Sequence, residues 1–466
     1  MASARASVAG HSFDRSHLPL LLTLGLGVFA GALDLGVLSP ALPAIAHGFG
    51  IPARDVAWTF TLYLFANVVS IPIMTKLSDT LGRRPIYTLC VALFGMGSIL
   101  AIGAPNFPFF LFARALQAAG AGGIFPVATA AIADRVPLER RGSALGLLGA
   151  IWGLAAIIGP NLGGVVTHFF SWHWIFIANV PLSLVVIVLA QRYVPQAAAR
   201  VRGPLDVAGI AALALGLLGI MIGLTRLDTR AASFGNTATI VALIVAALAF
   251  AALVPIERRA AAPVIAPQLF ATRQLALTYA LEVLIGLLEG ALFFIPAALV
   301  AADRLTPIAA GGIAAIGAFM FVAVIPLAGR ALDAFGSRAV LLVGATLTAA
   351  GLAIFAAALA TLWAAIVGIV VAGIGFGALL GAPTRYIITN EVQRESRGTA
   401  VGLLSVFLII GQIFGGSLAG GAIGGRIDDV DAYRLAYEIF AAFAILTALA
   451  TLQLASRAQE RKTPAG

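Results

Sequence analysis

The chain has 466 residues, of which 61% are hydrophobic and only 11% are charged, and its mean hydropathy is +1.03. Soluble domains carry about 25% charged residues, so this composition excludes an ordinary water-soluble protein. The formal charge of +9 raises the question of whether the basic residues bind nucleic acid or mark the topology of a membrane protein. The single cysteine, Cys90, excludes an intramolecular disulfide.

Apolar runs of about 20 residues, long enough to cross a bilayer as a helix, recur along the whole chain. They predict an all-α integral membrane protein with fourteen transmembrane helices. The first run is too long for the core of a signal peptide, so we interpret it as an uncleaved first span. The spans are expected over residues 18–46, 55–76, 85–103, 107–133, 142–167, 173–192, 206–225, 236–256, 274–300, 307–328, 338–358, 362–388, 397–423 and 433–455.

The distribution of basic residues sets the expected orientation. If the N-terminus is cytoplasmic, the segments on that side hold 21 of the 29 Lys and Arg residues and the segments on the other side hold 6. Cytoplasmic loops of membrane proteins carry such an excess. We therefore expect both termini in the cytoplasm, and the bias explains most of the basic charge without nucleic acid.

The sequence repeats itself after a little over half of its length. "MTKLSDTLGRRPIY" from residue 74 returns as "LAGRALDAFGSRAV" from 327, "ERRGSALGLLG" from 139 as "ESRGTAVGLLS" from 395, and "GPNLGG" from 159 as "GGSLAG" from 415. Parallel repeats of this kind are a transporter architecture in which substrate binds between the halves near the bilayer midplane. In the charged turn the matching residues are Lys76 and Arg330, Asp79 and Asp333, Gly82 and Gly336, and Arg84 and Arg338.

The repeat predicts two six-helix bundles with two extra central helices between them. The loops between spans are short, which leaves no room for a soluble catalytic domain, so we do not expect an enzyme. The predicted organisation is a cytoplasmic tail (1–17), the N-terminal bundle (18–194), two additional transmembrane helices (195–256), a cytoplasmic linker (257–272), the C-terminal bundle (273–456) and a second tail (457–466).

Five motifs stand in order along the first six spans: "LDLGVLSPALP" from 33, the charged turn, "LFARALQAAGAG" from 111, "AAIIGPNLGG" from 155 and "WHWIFIANVP" from 172. Together they resemble the major facilitator superfamily, and more narrowly its fourteen-span drug/proton antiporter branch. The charged turn departs from the family pattern at Thr75, where Gly is usual, and at Thr80, where Arg is usual. The helix-5 motif has Ala155 in place of its leading Gly.

Asp34 and Arg114 are the candidate proton-coupling residues. A carboxylate in mid-span costs about 2.5–3.5 kcal/mol on insertion scales, and such acids mark proton or ion pathways. The alternative for Asp34 is a structural hydrogen bond to a neighbouring helix. A lone buried guanidinium needs an acceptor, and Asp34 is a candidate for Arg114. The resemblance implies that this arginine tunes proton binding; the alternative is a structural pair with backbone carbonyls.

Two acids in the second half are candidate substrate-binding residues. Asp34 shifted by 255 positions falls on Glu289, and Glu282 lies two turns earlier on the same helix face, about 10.5 Å away. Glu282 is nearer the helix end, where a side chain that snorkels to the interface is the alternative, and we interpret Arg385 as interfacial. An apolar pocket, or alternatively packing on helices or lipid, is expected for Trp58, Tyr63, Trp152, Phe293 and Phe294.

The charged turns are candidate gating elements. A carboxylate such as Asp79 at a helix end can face the N-terminus of a helix in the other half, where positive partial charge gathers. The alternative is that these charges only set topology. Gly159 and Pro160 in span 5 suit a hinge, although helix packing would use the same residues. The full set of gating candidates is Asp79, Gly82, Arg83, Arg84, Asp333, Arg338, Gly159 and Pro160, with Asp134 and Glu139 as expected partners of the arginines.

These observations predict a proton-coupled exporter of hydrophobic or cationic compounds in the bacterial inner membrane, and the resemblance implies multidrug efflux and antibiotic resistance. The sequence shows no phosphate-binding loop, HExxH pattern or Cys/His cluster, so we expect no cofactor and no metal. Expected partners are a small-molecule substrate, protons and the lipid bilayer, with a periplasmic adaptor left open; we expect a monomer. The alternatives are a dedicated exporter of one metabolite or lipid, and an importing proton symporter.

Overall fold

The computed structural model describes residues 18–136, 138–196, 206–225, 237–260, 263, 265, 270–303, 305–359, 361–380, 383–392, 397–423 and 429–457, and those residues form helices and connecting turns without a strand. Fourteen stretches are long and apolar enough to cross a membrane, which confirms the predicted number of spans. The first extends three residues beyond its predicted end and runs over Leu18–Phe49, because a 3₁₀ turn continues the helix through Pro40.

The first half of the chain forms one bundle. It consists of α1 (Leu18–Leu38), α2 (Leu42–Phe49), α3 (Ala53–Val56), α4 (Trp58–Leu81), α5 (Arg83–Ile102), α6 (Phe107–Arg135), α7 (Leu138–Phe169) and α8 (His173–Tyr193). Helix α1 packs against α7 and α8, and α6 packs between α4 and α5.

The second half forms a matching bundle. It consists of α11 (Arg273–Leu292), α12 (Ile295–Asp303), α13 (Pro307–Phe335), α14 (Ser337–Ala357), α15 (Leu362–Leu379), α16 (Pro383–Glu391), α17 (Arg397–Ile423) and α18 (Val430–Thr451). Helix α11 packs against α17 and α18, and α14 packs against α15 and α18.

Two further helices join the bundles, as the repeat predicts. They are α9 (Val207–Thr225) and α10 (Thr237–Arg259), which pack against each other. Helix α9 also contacts α4 in the first bundle and α17 in the second. The additional pair therefore lies against both halves of the transporter-like repeat.

The first span of each bundle breaks at a proline, a feature of the repeat that sequence reasoning missed. Pro40 follows the end of α1, and Pro296 lies in the first turn of α12. Proline has no amide proton and so removes one helical hydrogen bond. The hydroxyl of Ser39 at the first break donates to the carbonyl of Phe293 at the second. The two breaks thus meet across the boundary between the bundles.

The charged turns are tighter than the sequence suggests. Helix α4 continues to Leu81, so Lys76 and Asp79 lie in its last turns, and Gly82 alone separates α4 from α5. Gly82 has φ 100° and ψ 159°, and Gly336 at the equivalent point has φ 84° and ψ 168°. This backbone region is essentially restricted to glycine. The repeated glycine is therefore required by the backbone at both turns.

We expect Gly82→Ala and Gly336→Ala each to destabilise the folded protein by about 1–3 kcal/mol, because a Cβ strains a backbone of positive φ. The measurement is the apparent unfolding temperature of the purified protein in detergent. Gly31→Ala is the control, because a Cβ at this helical glycine has no neighbour within 4 Å. Equal unfolding temperatures for all three variants would contradict the argument.

Candidate functional site

The carboxyl group of Asp34 lies at the centre of a buried polar cluster in the first bundle. Asp34 is 2% exposed and lies in the last turns of α1, near the middle of the span Leu18–Phe49. Arg114 Nη1 on α6 donates to Oδ2 at 2.6 Å. Gln117 Nε2 on α6 and Asn179 Nδ2 on α8 both donate to Oδ1, each at 2.9 Å. Three donors from two other helices therefore hold the carboxylate, and one of them carries the opposite charge.

Helical spacing brings two of these donors to the same place. Arg114 and Gln117 are three residues apart, so their side chains lie on one face of α6. Gln117 accepts a hydrogen bond from Arg114 and donates a second one to Ser98 Oγ on α5 at 2.9 Å. The close approach of α5 to α6 depends on Gly97, because a Cβ there would lie 2.5 Å from the backbone nitrogen of Gln117.

Aromatic rings cover the guanidinium group of Arg114. Its Cζ lies 4.2 Å from the ring centroid of Tyr63 and 5.7 Å from that of Phe176. Cation–π contacts of this kind are worth about 2 kcal/mol or more when they are desolvated. Arg114 is fully buried, and its Nε and Nη2 atoms and the Tyr63 hydroxyl have no hydrogen-bond partner among the described residues. The cluster is closed to solvent in this conformation.

The second bundle has an acidic site of two glutamates, Glu289 and Glu282, both on α11. Glu289 on α11 has Gln412 on α17 as its hydrogen-bond partner. Glu282, two turns earlier, has Thr384 as hydrogen-bond partner and Arg385 within electrostatic reach, both on α16. One carboxylate oxygen of each glutamate is buried with no partner among the described residues. Glu289 therefore has a glutamine ligand as Asp34 does, but this glutamine lies on α17, which matches α7 rather than α6 in the repeat, and no arginine bonds Glu289 among the described residues.

Three of the predicted aromatic residues, Trp58, Tyr63 and Phe293, pack in one apolar cluster. Tyr63 also covers Arg114, and Phe293 lies 4.1 Å, centroid to centroid, from Phe60 at the contact between bundles. Trp152 is 42% exposed and packs edge-on against Phe125. Trp58, at the start of α4, is partly buried against an apolar cluster that includes Tyr63.

The first charged turn is held within its own bundle. Arg83 Nη1 bonds Asp79 Oδ1 at 2.5 Å, and Arg83 Nε bonds Asp134 Oδ2 at 3.1 Å. Arg84 Nε donates to the carbonyl of Val194, just beyond α8, at 2.5 Å. Asp79 therefore pairs with Arg83 of its own bundle, and among the described residues it has no contact with the other half.

In the second turn the backbone and the two arginines are described. Arg338 is partly buried and Arg330 is exposed. The side chain of Asp333 lies outside the described residues, as does that of Glu139, an expected partner in the first turn. The equivalence of the two turns therefore rests on their matched glycine geometry.

Gly159 and Pro160 lie where α7 contacts α1 of its own bundle and α13 of the second bundle. A Cβ at Gly159 would come within 2.8 Å of Gly36 Cα on α1, and one at Gly311 on α13 would meet the carbonyl of Pro160. Two helices thus approach α7 closely at adjacent residues, one from each bundle. This placement suits the expected hinge and also satisfies close packing.

Sequence reasoning missed three polar partners of the buried acids, which are Asn179, Thr384 and Gln412, and it also missed Ser98, which accepts a hydrogen bond from Gln117. Asn179 stands in the "WHWIFIANVP" stretch, where a lone amide in an apolar span is the one available signal. The other three are small or neutral side chains whose role depends on which helices lie opposite. Periodicity does not reveal that arrangement.

The sequence model of the Major Facilitator Superfamily matches residues 24–302 and 279–466. The chain belongs to the Major Facilitator Superfamily. An uncharacterised MFS-type transporter, YfiU of Bacillus subtilis, is 35% identical over 421 residues, which cover 87% of this chain and 79% of YfiU. As a member of this superfamily, the chain is a multi-pass membrane transporter.

Other relatives in the Major Facilitator Superfamily have differing substrates in their names. Multidrug resistance protein 3 of B. subtilis is 31% identical over 57% of this chain and 52% of its own length. The riboflavin transporter RibZ of Clostridioides difficile is 26% identical over 81% of this chain and 82% of RibZ. A solved D-xylose–proton symporter superposes with a TM-score of 0.67 at 15% identity, covering 95% of this chain and 99% of that one. The likeness to the symporter shows only that the two folds are similar.

We expect Asn179→Ala to weaken the hold on Asp34, because a hydrogen bond to a charged group contributes about 1.5–3 kcal/mol. The apparent unfolding temperature should fall, and the pH dependence of transport should shift. Ser183→Ala is the control on the same helix, because its hydroxyl bonds only the backbone carbonyl of Asn179, at 2.7 Å. If the two variants shift the pH profile equally, or neither shifts it, Asn179 does not position Asp34.

Proposed function

We propose that this member of the superfamily is a proton-coupled exporter of hydrophobic or cationic compounds that works by alternating access. The observation that supports this most strongly is the Asp34–Arg114 pair, which is buried, hydrogen-bonded and central to the first bundle. Acids at such positions in membrane spans mark proton or ion pathways. The proposed location is the bacterial inner membrane, with both termini in the cytoplasm and the protein acting as a monomer.

The proposed proton step follows from the contacts of Asp34. As an anion, Asp34 holds Arg114, Gln117 and Asn179 together. A proton on the carboxyl group removes the charge that attracts Arg114, so the guanidinium must find another acceptor or rearrange. Removing one partner of a buried pair costs about 3–5 kcal/mol. Protonation is therefore strong enough to favour a different arrangement of α1, α6 and α8.

The acids of the second bundle have the proposed role of attracting cationic substrates. Glu289 and Glu282 each present a buried oxygen without a partner among the described residues. Trp58, Tyr63, Trp152 and Phe293 are the proposed contacts for apolar parts of the substrate, and all but Trp152 pack in one apolar cluster. The name of multidrug resistance protein 3 is compatible with broad specificity.

A dedicated exporter of a single compound is the second candidate. It is favoured by the similarity, over 81% of this chain, to a transporter named for riboflavin. A panel of compounds discriminates the two, because a dedicated exporter would transport one of them and a multidrug exporter several.

We expect transport by wild-type protein in liposomes to follow an imposed pH gradient and to collapse when a protonophore is added, because the driving force is the proton gradient. Asp34→Asn cannot exchange a proton and should abolish accumulation of neutral and cationic compounds alike. Accumulation is measured with a fluorescent cation and a neutral compound. Transport that survives the protonophore and requires ATP, or an Asp34→Asn variant that still accumulates either compound, would overturn the proposal.

The charged turns are the proposed gates between conformations. We expect Asp79→Asn to reduce turnover several-fold while substrate affinity stays near wild type, because Asp79 lies at the rim of the bundle and contacts Arg83 rather than the buried cluster. Asp333→Asn should do the same in the second half. Affinity is measured in detergent and turnover in liposomes, with exposed Asp431→Asn as the control. Lost affinity with normal turnover of bound substrate would contradict the gating role.

A further inference from the structure

Arg114 uses only one end of its guanidinium group in the buried cluster of the first bundle. Its Nη1 atom donates to both Asp34 and Gln117. The Nε and Nη2 atoms are buried without a hydrogen-bond partner among the described residues. Their N–H groups lie on the same edge of the planar guanidinium and point in the same direction. The cluster therefore contains a parallel pair of unused donors on a permanently charged group.

A third unused polar atom lies in the same cluster. The hydroxyl of Tyr63 is buried without a partner among the described residues, and the residue is within electrostatic reach of both Asp34 and Arg114. Its ring centroid lies 4.2 Å from Arg114 Cζ. Buried polar atoms without a partner destabilise a fold and are rare in folded proteins. Three such atoms around one guanidinium indicate a site for a ligand with acceptor oxygens.

The fold leaves space within one helical turn of Asp34. Gly31 precedes Asp34 by three residues, so the two positions share a face of α1. Gly31 is buried, yet a Cβ at this position would have no neighbour within 4 Å. One turn earlier, a Cβ at Gly27 would collide with the hydroxyl of Tyr87. The packing on this face is therefore tight at Gly27 and open toward Asp34.

The cluster holds one negative charge, on Asp34, and one positive charge, on Arg114. A further anion would leave an uncompensated buried charge, which is costly unless a proton neutralises Asp34. Tyr87 and Cys90 of α5 are neutral, and the Tyr87 hydroxyl donates to backbone carbonyls of α1. The other acidic and basic side chains described on the surrounding helices lie within two turns of a helix end, and they are Asp55, Lys76, Asp79, Arg83, Arg84, Asp134, Arg135, His168, His173, Arg192 and Asp206.

We propose that the free edge of Arg114 and the hydroxyl of Tyr63 bind the carboxylate group of an acidic, largely apolar compound. The two parallel N–H groups match the two oxygens of a carboxylate. The aromatic rings of Tyr63 and Phe176 beside the guanidinium suit an apolar body. A singly charged carboxylate is favoured over a doubly charged phosphate, because burial penalises each added charge. The site goes beyond the proposed function, since it adds acidic compounds to the hydrophobic and cationic ones.

Binding of the carboxylate is coupled to protonation of Asp34. The cluster is closed to solvent in this conformation, so the ligand enters in an open conformation of the transport cycle. A proton from solvent then forms an O–H bond at Asp34, and the ligand's carboxylate replaces Asp34 as the ionic partner of Arg114. The cluster stays neutral overall, with one guanidinium and one carboxylate. Each bound carboxylate therefore takes up about one proton from solution, whereas a neutral ligand takes up none.

The test compares three compounds of related shape: biphenyl-4-carboxylate, the neutral biphenyl-4-carboxamide, and 4-methylbiphenyl, which has no acceptor oxygen. Binding of the tritiated compounds is measured at neutral pH on protein in lipid nanodiscs, after subtraction of binding to empty nanodiscs. Proton uptake from weakly buffered solution is followed with a pH dye. Wild-type protein should take up about one proton per bound carboxylate, bind the carboxamide without proton uptake, and bind 4-methylbiphenyl about tenfold more weakly than the carboxylate.

The variants identify the groups that form the site. Asp34→Asn leaves Arg114 without a countercharge, so the carboxylate should bind about tenfold more tightly and without proton uptake. Arg114→Lys keeps the charge but loses the paired donors, and it should weaken carboxylate binding about tenfold. Tyr63→Phe keeps the ring and should weaken binding several-fold. Tyr87→Phe is the matched control and should bind the carboxylate as wild type does, because its hydroxyl bonds the backbone of α1 instead.

Equal binding of the carboxylate and 4-methylbiphenyl to wild-type protein, as expected if the free edge holds only water, would overturn the inference. So would carboxylate binding without proton uptake in wild-type protein, or equal carboxylate binding by wild type, Arg114→Lys and Tyr63→Phe. Each of these results leaves the proposed exporter standing if the fluorescent cation still accumulates along a pH gradient. Loss of that accumulation in wild-type liposomes would instead count against the proposed function itself.

Discussion

The buried ion pair of Asp34 and Arg114 is the interaction on which the arrangement of the first bundle depends. Moving two charges out of water costs more than their attraction returns unless further hydrogen bonds satisfy them. Gln117 and Asn179 provide those bonds at Asp34, and the rings of Tyr63 and Phe176 cover the guanidinium. The carboxylate of Asp34 therefore links α1 to α6 and α8. In the proposed cycle, a proton on this group removes the negative charge that attracts Arg114.

The two halves resemble each other more closely in backbone conformation than in their buried polar side chains. Both first spans break at a proline, and both charged turns need a glycine of positive φ. A glutamine bonds the buried acid in each half, but Gln117 lies on α6 and Gln412 on α17, which the repeat does not match to each other. Arg114 pairs with Asp34, whereas no arginine bonds Glu289 among the described residues. This difference gives the two bundles unequal proposed roles in one cycle.

Much of the fold follows from the sequence. Span length and apolar composition are enough to predict fourteen helices, and the repeat predicts two bundles with two extra helices. The charged side chains Asp34, Arg114, Glu282 and Glu289 stand out because charge in an apolar span is costly. Their neutral ligands do not, because Asn179 or Gln412 acquires its role only when another helix comes within hydrogen-bond distance. The break at Pro296 was also missed, since proline is tolerated in the first turn of a helix.

The central claim is that Asp34 exchanges a proton during transport. Infrared difference spectroscopy across a pH step tests it directly, because a protonated carboxyl has a C=O band that a carboxylate lacks. The Glu282→Gln/Glu289→Gln background removes the two acids of α11 from the difference spectrum, and Glu257 of α10 is present with and without Asp34. The account predicts a band that appears on acidification and is absent when Asp34→Asn is added. A band that remains the same when Asp34→Asn is added would contradict the account.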